Sequence, residues 1–186
     1  MTVRLTLVCA AAGNTAGIFG DRPQSARTPY SATTAGMFPP PPHSSTLRAP
    51  SSRCATTADE FGLKATPELA LRDFDYGEWS GRQMAEIAAT NPYGFSAWLT
   101  DPDATPHGGE SVRQLCRRTA AWLHDLPQDE EDALAITEPG VIRATILHAL
   151  SVPARAFWHI KVPPLSIVTV TSRADRWDVQ FNGITL

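Results

Sequence analysis

The sequence predicts an α/β sandwich on a mostly parallel mixed sheet. Short continuous apolar runs at 4–9 and 133–137 read as buried parallel strands. Apolar positions at helical spacing separate and follow them, and two strand-like segments at 166–172 and 177–181 close the chain as a hairpin across 173–176. With 186 residues, 42% of them hydrophobic and 19% charged, the chain can bury one sizeable core, so a single domain over 1–186 is expected.

The first strand, Arg4 to Cys9, runs into the small residues Ala10 to Gly13, a turn that brings backbone close to a ligand at a strand's C-terminal edge. The same stretch imitates a short signal peptide, but a buried strand has the same apolar signature and is the reading preferred. From about 20 to 50 the composition turns to Pro, Ser, Thr and Ala, with prolines throughout 39–42, and this part is expected to be mostly loop. A helix is expected from Arg53 to Phe61, stopped by Gly62, then a short strand from Glu68 to Arg72. Short helices follow at 83–90 and 95–99. The strongest helical stripe is Val112, Leu115, Cys116, Thr119, Trp122, Leu123 and Leu126, begun by Glu110 and Ser111 and stopped by Pro127. Pro139 suits a first helical position, so a helix is expected from there to about Leu150.

Charge and cysteine content exclude several classes. A net charge of −3 with dispersed arginines gives no electrostatic reason to bind nucleic acid. Cys9, Cys54 and Cys116 have no close spacing, which argues against a disulfide framework and a zinc site and fits a reducing cytoplasm. No run approaches the ~20 apolar residues of a membrane span. Neither metal nor cofactor is expected, since no nucleotide loop or His/Cys cluster is evident. Phe157-Trp158 and Pro163-Pro164 are candidate association surface for a homodimer.

Four separated pieces carry a resemblance: Leu5 to Ala11, Ala49 to Ala58, Leu71 to Gly81 (Leu-Arg-Asp-Phe-Asp-Tyr-Gly-Glu-Trp-Ser-Gly) and Gly108 to Ser111 (Gly-Gly-Glu-Ser). Together they resemble the histidine phosphatase (phosphoglycerate mutase-like) superfamily, which implies a three-layer α/β/α sandwich. The family's Arg-His-Gly triplet supplies a nucleophilic histidine and a first arginine; here those places hold Cys9, Ala10 and Ala11. The place of the second histidine falls on Glu138. Arg53 matches the family's second phosphate-binding arginine, Asp73 the acid that donates a proton in several members, and Glu110 the pocket acid of the Gly-Glu-Ser piece.

Counted this way, the site gathers Arg53 against Asp73, Glu110 and Glu138. Each unscreened pair at about 4 Å is worth roughly 4 kcal/mol at an effective dielectric near 20, so a phosphate dianion is expected to bind poorly. The ligand expected is a small molecule that is neutral, cationic or singly anionic. The corresponding expectation is a phosphatase fold that has left phosphohistidine chemistry, with Glu138, Glu110 and Asp73 as acid/base catalysts for a lyase, isomerase, cyclase or hydrolase and Arg53 orienting the substrate. The alternative is a non-catalytic pseudophosphatase that binds a ligand or partner protein. Residual hydrolysis by direct water attack ranks below both, because the cationic cradle is missing.

Each residue also has a plainer reading. Glu138 sits at a helix start, which favours its ionised form, whereas neighbouring acids favour the protonated one; it can equally be an N-cap paired with Arg53 or Arg143. Cys9 and Ala10 would line the pocket through the strand end, and Cys9 reads more readily as a buried thiol than as a nucleophile. His107 could face a ligand or solvent. Tyr76 and Trp79 lie on the loop that borders the family pocket, although core packing is the safer expectation for the tryptophans.

Overall fold

In a computed structural model, residues 2–12, 17–20, 45–126, 132–173 and 176–182 are described. Six strands form one sheet in the order β3-β2-β4-β1-β5-β6: β1 Thr2–Cys9, β2 Ser45–Arg48, β3 Thr66–Pro67, β4 Asp132–Thr137, β5 Ile167–Arg173 and β6 Arg176–Asn182. The β3-β2, β2-β4 and β4-β1 junctions are parallel, and β1-β5 and β5-β6 are antiparallel. With its helices this is the three-layer α/β/α sandwich expected. The central strands bury Leu5, Leu7, Ala133, Ala135 and Ile136, which is why their sequences are continuously apolar.

The helices are α1 Ser52–Glu60, α2 Met84–Thr90, α3 Pro92–Thr100, α4 Val112–His124 and α5 Pro139–Ala149. Each start has a local cause. The Ser51 hydroxyl accepts from the Cys54 N–H at 3.1 Å, and Gly62 follows the Phe61 cap with φ of 66°. Ser111 and Gln114 form a reciprocal capping box, and α4 then turns Val112, Leu115, Thr119 and Leu123 inward. α5 is buried on nearly every side, packed against α4 and the sheet.

Register decides where the loops go. Cys9 lies opposite Thr137, and Arg48 opposite Ile136, so β1, β2 and β4 end together. Just past those ends the Ala10 N–H donates to the Thr137 carbonyl at 2.9 Å, and the Ala49 N–H to the Ile136 carbonyl at 2.8 Å. Ala10, the start of α1 and Glu138 therefore share one edge of the sheet, the edge at which open α/β folds bind ligands.

Three expectations need correction. Residues 45–48, inside the stretch read as loop, form β2; the rest of that stretch from 21 to 44, with its proline run and His43, lies outside the described residues. Pairing with β4 supplied what the short segment's own composition did not. The strand expected at Glu68 to Arg72 is a 3-10 turn over Leu69–Leu71, preceded by the two-residue β3. Pro67 offers the ladder no donor and the Glu68 carboxylate accepts the Ala70 N–H at 2.8 Å, so local bonding wins over pairing. Phe157, expected on an association surface, is buried in the core within the 3-10 segment Ala154–His159, and half-buried Trp158 packs on Trp98 with ring centroids 4.3 Å apart. The stop at Pro127 and the hairpin turn at 174–175 lie outside the described residues.

A second small core, Phe19, Trp79, Ile87 and Trp98, sits beneath α2 and α3. It adjoins the place where the 73–79 and 107–110 loops meet backbone to backbone. The Glu78 N–H donates to the His107 carbonyl at 2.9 Å, and the Glu110 N–H to the Asp75 carbonyl at 2.7 Å. A Cβ on Gly77 would lie 2.1 Å from the His107 carbonyl oxygen, and one on Gly109 would lie 2.1 Å from that of Asp75. These glycines are required by close approach, and they join the two motif pieces into one structural unit.

Candidate active site

The hollow at the strand ends is built around one buried ion pair. Glu138, only 1% exposed, holds the Arg53 guanidinium through Oε2 and accepts the Ser51 hydroxyl on Oε1 at 2.8 Å. Cys54 Sγ stands 3.7 Å from the same Oε1. Glu138 is the N-cap of α5 by backbone position, but its side chain makes no capping bond. Of the two arginines considered for it, Arg53 is the partner. Arg53 Nε is buried with no partner among the described residues.

Asp73 reaches the same place from the opposite loop. A Cβ on Gly140 would lie 3.2 Å from Asp73 Oδ1, so the missing side chain in the first turn of α5 leaves room for this carboxylate. Burial pushes the Asp73 carboxyl above its ordinary value, against the lowering pull of the Phe74 N–H, Arg53, Tyr76 and Arg118. The Tyr76 hydroxyl donates to Asp73 Oδ2 at 3.3 Å, and burial raises that phenol well above its usual range, which keeps it a donor. Cys9 ends β1 in the same field. Desolvation pushes its thiol up to about 12, so it is a neutral wall of the hollow rather than a thiolate. Ala10 adds only a methyl group.

Arg143 is the charge missing from the sequence count. It lies one turn into α5, with its guanidinium 5.5 Å from the Phe157 ring centre and 5.4 Å from that of Trp158, and its Nε donates to the Ile160 carbonyl at 2.8 Å. Burial lowers its pKa, against the raising pull of Tyr76, Cys9 and Asp73. In the sequence it is considered only as a partner for Glu138. The available signal was helical spacing, since residue 143 follows residue 139 by one turn and shares its face.

Glu110 is engaged elsewhere. Arg118 grips it with two hydrogen bonds of 2.9 and 2.8 Å, and Arg72 lies 3.8 Å away. The same guanidinium donates to the carbonyls of Ala70 and Arg72 and, at 3.4 Å, to that of Asp73. Arg118 and Glu110 thus form a strut that fixes the loop carrying Asp73. His107 is fully buried and faces the aromatic cluster of Tyr76, Trp79 and Trp98. Its Nδ1 accepts the Gly109 N–H at 3.0 Å, and desolvation lowers its pKa below the ordinary histidine value. His124, His148 and His159 are exposed. No group of three or more His, Cys, Asp or Glu side chains among the described residues could hold a metal ion.

Comparison with known proteins decides the family. The sequence matches the histidine phosphatase superfamily (branch 1) over residues 34–185, most of the chain. The chain belongs to the histidine phosphatase superfamily. Among curated relatives, the adenosylcobalamin/alpha-ribazole phosphatase of Salmonella typhimurium is 27% identical over 95 residues, covering 50% of this chain and 47% of that one. The glucosyl-3-phosphoglycerate phosphatase of Mycobacterium tuberculosis is 28% identical over 120 residues, covering 64% of this chain and 54% of that protein. The chain thus aligns with about half the length of these relatives. In three dimensions it is similar to a phosphoserine phosphatase from Entamoeba histolytica, with a TM-score of 0.81, 17% identity and 98% of each chain covered, a likeness of fold.

For this superfamily member, the expectation of a chain that has left phosphatase chemistry, whether as another acid/base enzyme or as a pseudophosphatase, is corrected. The matched relatives carry phosphatase names. The electrostatic argument behind that expectation also fails on geometry: it counted Glu110, which Arg118 and Arg72 neutralise, and omitted Arg143. Around the hollow stand two guanidinium groups, one ionised partner in Glu138 and a carboxyl at Asp73 whose burial favours the neutral form. The acids therefore do not outnumber the guanidinium groups. No helix among the described residues is long and apolar enough to cross a membrane.

Proposed function

We propose that this chain hydrolyses phosphate monoesters of a small organic molecule in the hollow between Arg53, Arg143, Asp73 and Glu138. The observation that carries the reading is the buried Nε–H of Arg53, which has no partner among the described residues. A donor left unpaired inside a protein costs free energy unless a ligand completes it, and a phosphoryl group accepts from such donors strongly. The phosphatase names of the relatives supply the substrate class.

In this mechanism the phosphoryl oxygens lie against Arg53 and Arg143, which stabilise the charge that grows on them. A water molecule attacks phosphorus and passes a proton to Glu138. The bond from phosphorus to the ester oxygen breaks, and Asp73 protonates the departing alkoxide. Desolvation suits Asp73 to this step, because it keeps the carboxyl protonated to higher pH than an exposed aspartate would be. Proton exchange with solvent then restores both acids. Tyr76 positions the Asp73 carboxyl through its 3.3 Å hydrogen bond. Cys9, Cys54 and Cys116 carry thiols rather than disulfides, which supports a reducing, cytoplasmic setting.

The test is release of inorganic phosphate from p-nitrophenyl phosphate and from alkyl esters such as alpha-ribazole phosphate or glucosyl-3-phosphoglycerate. Asp73→Asn is expected to slow alkyl ester hydrolysis by roughly 10²-fold or more while affecting p-nitrophenyl phosphate far less, because nitrophenolate leaves without a proton. Absence of turnover on every ester together with absence of vanadate binding would refute the proposal, as would equal loss on both ester types.

A further inference from the structure

A cavity of about 410 Å³ lies between α4 and α5 and is lined from three sides. α4 contributes Arg113 and Arg117, α5 contributes Ala144, Leu147 and His148, and the turn after α5 contributes Ser151. We infer that this cavity is a binding site for a small organic anion, with a carboxylate or phosphate ester head and a short apolar body.

Charge complementarity carries the assignment. None of the lining residues is acidic; Asp103, outside the lining, pairs with Arg113 and feels the charge of Arg117, so the cationic excess of the lining rests on Arg117. Arg113 is held in place by two bonds to Asp103, of 2.6 and 2.9 Å, and so presents a fixed edge. Arg117, four residues on and on the same helix face, makes no hydrogen bond or ion pair among the described residues, so its donors are available to a ligand. Opposite them, His148 packs against Trp177 with ring centroids 5.9 Å apart, and its desolvation lowers its pKa. A bound anion would reverse that effect by offering the imidazolium a partner.

Backbone strain gives independent support. Ser151 has φ of 53°, in the left-handed region, where the chain reverses after α5 with the Val152 N–H donating to the Leu147 carbonyl at 2.9 Å. Glycine is the residue that this turn favours. What the serine adds is a hydroxyl at the cavity rim, without a partner among the described residues, beside the two arginines. Leu147 and Ala144 form an apolar wall for the rest of the ligand. The volume lies within the range of small-molecule sites, about 300–1,000 Å³. The site is distinct from the Arg53 hollow: His148 follows Arg143 by five residues, roughly 7 Å further along the helix axis.

The experiment titrates the full chain at low ionic strength with benzoate and, separately, phenylphosphonate, whose P–C bond a phosphatase does not cleave, following the His148 imidazole by NMR. Because His148 lies outside the Arg53 hollow, its response is independent of whether the chain hydrolyses esters. The expected result is a saturable shift of the His148 signal with at least one probe, accompanied by a rise of its titration midpoint. Arg117→Glu, an exposed position whose change leaves the core intact, is expected to weaken that binding by roughly tenfold or more. Tighter phenylphosphonate binding assigns a phosphate-type head, and tighter benzoate binding a carboxylate. A linear, non-saturating response to both probes in the wild-type chain would overturn the inference, and so would saturable binding that Arg117→Glu leaves unchanged.

Discussion

Arg53→Ala tests the centre of the site through stability alone. The substitution removes the guanidinium from Glu138, which is 1% exposed and, among the described residues, retains the Ser51 hydroxyl at 2.8 Å and the weak Cys54 thiol at 3.7 Å. Breaking a buried pair by deleting one partner costs about 3–5 kcal/mol, because the remaining charge is stranded. The Arg53 side chain is 22% exposed, so water reaches part of the vacated space and the lower end applies, about 3 kcal/mol. For a chain of this size that corresponds to a fall in Tm of roughly 6–12 °C. The assay is urea unfolding followed by tryptophan fluorescence, with Glu138→Gln added to Arg53→Ala in a double variant. Removing the stranded charge is expected to recover most of the loss, leaving about 1 kcal/mol. A loss below about 1 kcal/mol in Arg53→Ala, or a double variant no more stable than the single one, would refute the buried-pair account.

Two further outcomes follow from the loops that carry Asp73. Gly109→Ala would drive a methyl group to 2.1 Å from the Asp75 carbonyl oxygen, so it is expected to cost more than about 3 kcal/mol in urea unfolding; a near-neutral result would contradict the backbone contact. His107 has its folded-state pKa lowered by burial. The unfolded chain therefore takes up a proton first as pH falls below about 6.5, and stability, fully present above that pH, declines by up to about 1.4 kcal/mol per pH unit until the folded pKa is reached. His148, lowered in the same direction, contributes likewise, so the measurement compares wild type with His148→Gln between pH 7.5 and 5.5. Titration of His107 at or above the ordinary histidine value would contradict its dry environment.

Much of the architecture was legible because its causes are local. The apolar runs that became β1 and β4 read as buried strands, and the stripe from Val112 to Leu123 read as a helix whose capping residues stand beside it. β2 was not legible, since four residues in a Pro- and Ser-rich stretch become a strand only when β4 offers them a ladder. The 3-10 turn at Leu69–Leu71 was missed because Glu68 bonds its own loop, an event that apolar patterning does not register. In the site, position 10 as alanine, Arg53 and Asp73 were all readable by residue type, whereas the engagement of Glu110 by Arg118 and the reach of Arg143 were not.

The sequence by itself determined which side chains stand at the strand ends and in what order the elements run, because helical and strand periodicities and caps act over a few residues. Tertiary structure decided which charges meet in the hollow. Whether an acid counts as a charge depends on which base lies against it, and Glu138 meets an arginine 85 positions earlier in the chain. Burial likewise decides whether Asp73 holds its proton, and burial is a property of the packed molecule.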